Sequence, residues 1–194
     1  MTWHVVRLED ISATPWRNGG GVTRELAAWP QANDWTWRMS VAEVGQSGAF
    51  SSFDGVDRWF AVLAGSGVQL LVGKHPHRLT ALDAPFFFDG AASTDCQLID
   101  GATQDFNLMV QRDRATAQMV RVSGSVDATV DKADNWVGNA PKIIAVYAIE
   151  TCATVLFDNE TLLLPAASLA WRVVSQSARV RVSSSNALWM EIKP

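Results

Sequence analysis

Between Trp35 and Val41 a large apolar residue occupies every second position. The stretch "WTWRMSVAEV" sets Trp35, Trp37, Met39 and Val41 on one face, with Thr36, Arg38, Ser40 and Ala42 on the other. Only extended chain has that period. The alternation, broken by Gly, Pro, Asp and Asn, recurs in "RWFAVLAGSGVQLLVG", "CQLIDGATQDFNLMVQR", "KIIAVYAIETCATVLFDNETLLLP" and "SLAWRVVSQSARVRVSSSNALWMEIKP". "FDNETLLL" reads as a hairpin turning at Asp158-Asn159. No window longer than about ten residues carries a helical period. The chain is therefore read as all-β with little helix, built as a sandwich, jelly roll or barrel.

Its 194 residues suffice for one large domain or two small fused ones. The segment Val122 to Lys142, rich in Gly, Ser, Asp and Asn, is read as the connection between two β units. The expected division is 1–120 for a first barrel carrying the pocket and 121–194 for a second, smaller one. The second is short for closure, so "WHVVRL" and "RATAQMVRV" are candidate strands for it. With 48% hydrophobic and 19% charged residues the composition is globular, and a net charge of −4 with no basic run argues against a general nucleic-acid binder. Cys96 and Cys152 lie far apart and form no CxxC, which predicts reduced thiols. "MTWHVVRLED" lacks the basic start and apolar run of a signal peptide, and Ile143 to Ile149 is too short to span a bilayer. The expectation is a cytoplasmic protein with no membrane or nucleic-acid partner.

The histidines offer little chemistry. His75, His77, Asp83 and Gly90 loosely follow the metal motif of cupins, but the only further histidine is His4. A zinc or iron site needs more ligands. "VGKHPHRL" is better read as an exposed hairpin turn around Gly73 and Pro76, so no metal and no cofactor are expected. There is no GxSxG, GxxxxGK[ST] or GxGxxG, and no catalytic residue is assigned.

"PWRNGGGVTRE", residues 15 to 25, is different. A glycine strand lets a backbone or a ligand come close, and Asn18 supplies both donor and acceptor beside it. A plain loop and a binding edge stand equal there. Arg38 shares its face with Ser40; if the tryptophan face is covered, a guanidinium lines the barrel interior, where only an anion offsets its desolvation. Arg58 follows a turn, where a solvated strand end is the ordinary outcome. Asp105 and Asn107 alternate against Phe106 and Leu108 and can face the same interior. Such a mouth, with Asn18, Gly20, Thr23, Glu25, Arg38, Ser40, Arg58 and Asn107 as its binding residues, suits a small carboxylate.

"PWRNGGGVTRE", "WRMSVAEVGQSGAFSSFDGVDR", "VLAGSGVQL", "FFFDG" and "DFNLMVQR", in this order and spacing, resemble the HutD/Ves family of bacterial proteins. The likeness is strong over the N-terminal two thirds and general thereafter. It implies a metal-free bicupin of two packed double-stranded β-helix barrels. It further implies a small pathway acid of histidine utilisation as ligand (formylglutamate, urocanate or formate), bound so as to restrain pathway flux, or a stress-associated Ves-like role. The family pattern falls on Asn18, Gly19, Gly20, Gly21, Thr23, Arg24, Glu25, Arg38, Ser40, Phe50, Ser51, Arg58, Asp105 and Asn107. Ala49 stands where the family usually has proline. Two other functions stay open: a metal-free cupin isomerase or lyase using Glu25 or Asp105 as base, and an interaction module, with a homodimer admitted.

Overall fold

The computed structural model describes residues 2–130 and 142–193. Its first strands are His4–Arg7 (β1), Thr14–Pro15 (β2), Gly21–Gln31 (β3), Asp34–Val44 (β4), Gly48–Ala49 (β5) and Val56–Ala64 (β6). Val68–Val72 (β7), His75–Leu79 (β8), Phe86–Asp89 (β9), Thr94–Leu98 (β10) and Thr103–Gln111 (β11) follow. The remainder are Thr116–Val130 (β12), Lys142–Ala148 (β13), Ala153–Phe157 (β14), Glu160–Leu164 (β15), Ser168–Val174 (β16) and Ala178–Lys193 (β17). Among the described residues the helical content is one 3-10 turn, Leu8–Asp10, and no helix is long and apolar enough to cross a membrane.

Two compact units divide the chain: residues 11–115, and residues 1–10 together with 116–194. The boundary thus falls at Ala115/Thr116 and not at 120, and the N-terminal strand belongs to the later unit. In that unit β1 pairs with β16 and β12 with β17, within a sheet ordered β1-β16-β13-β17-β14-β15. The 16-residue β17 serves three partners: β12 along its length, β14 through its first half and β13 through its second. The sheet closes over a core that includes Ile144, Val146, Val155, Leu164 and Val182. Most of the segment read as a connector is outside the described residues, but Val122 to Val130 is strand. Its polar, small residues pair with "ARVRVSSS" of β17, a partner some 55 positions away that no local pattern displays. The Asp158-Asn159 turn joins β14 to β15 as a hairpin.

Residues 11–115 form two facing sheets, ordered β2-β3-β4-β11-β6-β9 and β5-β10-β7-β8. Val44, Val62, Val68, Leu70 and Cys96 fill the space between them. His75 and His77 are strand residues of β8, not turn residues: the turn is Gly73-Lys74, and His77 packs its ring on Phe86 at 4.3 Å. The glycine run has a mainly structural role. Gly19 takes φ +71°, a left-handed conformation that a side chain disfavours. At Gly21 a Cβ would collide with the Glu43 carbonyl of the neighbouring strand. The run therefore lets β3 approach the end of β4 while the chain reverses.

Replacing Gly21 with Ala is expected to cost about 1–3 kcal/mol through overpacking, whereas Gly48→Ala, which meets open space, stays within about 0.5 kcal/mol. Urea denaturation of the two variants checks this contrast.

Candidate functional site

Antiparallel pairing decides which side chains meet in the 11–115 unit. Across β4, β11, β6 and β9, Arg38, Met109, Arg58 and Phe88 stand opposite one another in a single row. The next row inward is Ser40, Asn107, Phe60 and Phe86, and the one after it Ala42, Asp105 and Val62. Directly opposed residues share a face, so the polar set of β4 and that of β11 both point to the inside of this unit. The β3 register adds Glu25 opposite Ser40 and Thr23 opposite Ala42.

Arg38, Met109, Arg58, Ser40, Asn107, Phe60 and Ala42 of these rows form one wall of a cavity of about 700 Å³. That is ample for a small organic molecule, since such sites commonly measure roughly 300–1,000 Å³. Of the residues proposed from sequence, Asn18, Thr23, Arg38, Ser40, Arg58 and Asn107 line it. Gly20 and Glu25 do not. Gly20 is buried, and its carbonyl accepts from the amides of Gly45 and Gln46 at 2.9 and 3.1 Å, which ties the loop to the end of β4. Glu25 meets the cavity only through Arg38, its Oε2 lying 3.8 Å from that guanidinium. Arg24 points to the other face and pairs with Glu43. The rest of the lining comes mainly from two segments: Thr14 to Asn18, and the Ala49, Phe50, Ser51 and Phe53 stretch.

The first loop is held by short local bonds. Asn18 Oδ1 accepts from the Gly20 amide at 3.0 Å, and Trp16 Nε1 donates to Thr23 Oγ1 at 2.7 Å. Trp16 packs edge-on against Phe50. Arg17 is exposed on the same wall and makes no ion pair among the described residues.

Arg58 is the centre of the site. Far from a solvated strand end, it is 6% exposed. Its guanidinium donates to Asn107 Oδ1 at 2.9 Å and to the Ser51 carbonyl at 3.4 Å, and the rings of Phe50, Phe53 and Phe88 lie 5.0–5.7 Å from it. Among the described residues it makes no ion pair, and its buried Nε has no partner. Burial, seconded by repulsion from Arg38, pushes its pKa down to about 10, so it remains a cation at neutral pH. Arg38 is less deeply placed. Its guanidinium donates to the Met109 thioether at 3.1 Å and lies under Trp35 and Phe53. Its pKa too is lowered by burial, an effect that Glu25 partly offsets. Two like charges thus flank Met109 in apolar surroundings.

Asp105 lies deeper, fully buried and off the cavity wall. Its Oδ2 accepts from Thr103 Oγ1 at 2.8 Å while Oδ1 has no partner. Burial raises its pKa to about 7. With Asp105 nearby, burial also pushes the Cys96 thiol up to about 12. Among the described residues no three His, Cys, Asp or Glu side chains gather as a metal site would require.

Sequence reasoning did not single out Arg17, Phe53 or Met109 as cavity residues. Phe53 had a weak signal in "FSSFDGVDR", two phenylalanines just ahead of a strand arginine. That they fold back over Arg58 depends on a loop whose path is set by β5 and β10 pairing.

The HutD family model matches residues 8–190. The chain belongs to the HutD family. A protein encoded in the hutC 3' region of Pseudomonas putida is 38% identical over 124 residues, a match covering 62% of this chain and 65% of that protein. Protein Ves of Cronobacter sakazakii is 34% identical over 187 residues, 94% of this chain and 96% of the relative. The structure of HutD from Pseudomonas fluorescens SBW25, solved in a formate condition, superposes with a TM-score of 0.81 at 28% identity, covering 99% and 98% of the two chains. A cupin 2 barrel protein from Leptotrichia buccalis, 8% identical with a TM-score of 0.56 over 98% of this chain and 95% of that one, shares the fold alone. The HutD-family chain is thus an all-β protein of cupin type.

Burial of Asp105 has a consequence for stability. Its carboxyl titrates near 7 in the fold and at about 3.9 in an unfolded chain, so between these values the folded state holds the extra proton. Stability therefore falls as pH rises from about 4 to 7, by an amount on the order of 4 kcal/mol. Asp105→Asn is expected to remove that slope, read from urea melts at pH 5 and pH 8; an unchanged slope would show that Asp105 ionises freely.

Proposed function

We propose that this chain is a small-carboxylate-binding bicupin that senses or buffers an acid of the histidine-utilisation pathway (formylglutamate, urocanate or formate) and so restrains pathway flux. The observation that carries the reading is Arg58: a charged guanidinium, buried on a cavity wall, with neutral acceptors and phenyl rings around it and no ion pair among the described residues. Removing a guanidinium from water costs several kcal/mol unless a compensating charge meets it. A planar carboxylate is the complement of the planar fork, accepting two parallel bonds. Asn107 orients that fork by occupying one Nη, and Ser40, Thr23 and Asn18 supply further polar contacts around the same space. Kinship with a protein encoded beside hutC, and with a HutD solved in formate, supports the choice of acids.

In thermal melts, each of the three acids is to be added in turn. The ligand that fits raises stability by ~2.7 kcal/mol at about 100 times its Kd. Arg58→Ala, itself folded by circular dichroism, is expected to lose that response, whereas Arg7→Ala on the exposed first strand retains it. If none of the acids shifts the melt of the wild-type chain, the reading fails.

A further inference from the structure

The two arginines of the site differ in one respect. Arg58 is surrounded by neutral groups, but Arg38 faces a carboxylate of its own chain, with Glu25 Oε2 3.8 Å from Nη1. At that distance the two form no direct hydrogen bond. Neither side chain is sealed from water, with 24% of Arg38 and 36% of Glu25 exposed. A pair so open is loose and adds little stability.

The backbone nevertheless places Glu25 there. In β3 the register runs Glu25 opposite Ser40 and then Ala27 opposite Met39, so Leu26 is an extra residue without a partner on β4. Bulges of this kind bend a strand and re-aim a side chain, and they collect beside binding sites. Here the residue just before the bulge faces inward beside Ser40, within reach of the guanidinium one row outward. Arg38 also keeps a buried Nε with no partner, and its Nη2 is committed only to a thioether, a weak acceptor. It is equipped to take a better acceptor than the one it has.

We propose that Glu25 is an internal competitor for the anion at Arg38: an incoming carboxylate takes the guanidinium, and Glu25 swings from it into water. This rests on the carboxylate reading above. Two carboxylates on the same side of one guanidinium repel. Glu25 is the one to leave because it is already partly hydrated, while the entering group is enclosed by the cavity. Glu25 thereby acts as a specificity-determining residue. Only a ligand carrying a full negative charge gains by displacing it, and a neutral isostere does not.

The test uses acetate as probe and acetamide as its neutral counterpart, each titrated into the full chain at constant ionic strength. Tryptophan fluorescence is the readout, since Trp35 lies 5.3 Å from the Arg38 guanidinium and Trp16 lines the cavity. Glu25→Gln is expected to tighten acetate by about fivefold, the effect of deleting one partly screened like charge, and to leave acetamide unchanged. Glu25→Asp, which draws the carboxylate back by one methylene, tightens acetate less and carries the test if the glutamine variant misfolds. Acetate affinity that stays the same or weakens in both variants, while wild-type binding is lost in Arg58→Ala, overturns the competitor role and leaves the carboxylate reading intact. Acetate binding to neither wild type nor Glu25→Gln removes the carboxylate reading, and this inference with it.

Discussion

A guanidinium held out of water is the constraint around which the 11–115 unit is organised. Arg58 has entered an apolar interior, and everything near it moderates that cost: the Asn107 amide oxygen, the Ser51 carbonyl, and the π faces of Phe50, Phe53 and Phe88. None of these carries a negative charge. Cation–π contacts and neutral acceptors recover part of the lost hydration, but a full countercharge recovers much more. The site is therefore polarised toward anions by construction, within a chain whose overall charge is −4.

The sheet converts that local demand into geometry. Because β11 pairs with β4 on one side and β6 on the other, residues remote in sequence are laid down in rows of fixed spacing. Met109 separates the two arginines, so their repulsion only adds to burial in lowering the Arg58 pKa, without forcing either out of the wall. The glycine run serves the same end from the rim: it lets β3 close on β4 and hangs Trp16, Arg17 and Asn18 over the cavity. Its glycines build the support, while the side chains that line the cavity belong to their neighbours.

Several features were legible from residue order alone. The alternation in "WTWRMSVAEV" separated Arg38 and Ser40 from Trp37, Met39 and Val41, all fully buried, but a register shift puts Trp35, read onto that same face, beside the Arg38 guanidinium. Asn107 was placed on the inner face by the same argument. Reading from near neighbours failed at two further places. At Arg58 the nearby turn favoured a solvated end, because nothing in "FDGVDRWF" tells that Phe53 will cover it. At Val122 to Val130 a composition typical of loops was overridden by pairing with β17.

By itself the sequence determined the periodicity of the strands, many of the turns that punctuate them and, between bulges, which side of a strand a residue takes, since these depend on neighbours one to four positions away. Family membership was also written there, in the Trp-Arg-Asn-Gly-Gly-Gly string and the motifs that follow it. Tertiary structure alone decided which inward-facing residues meet. It set Arg38 and Arg58 across Met109, used a one-residue bulge to bring Glu25 to Arg38, and buried Asp105 without a partner for Oδ1. The reason is physical: desolvation and Coulomb interaction act through space, and the distances that govern them exist only once strands far apart in the chain have paired.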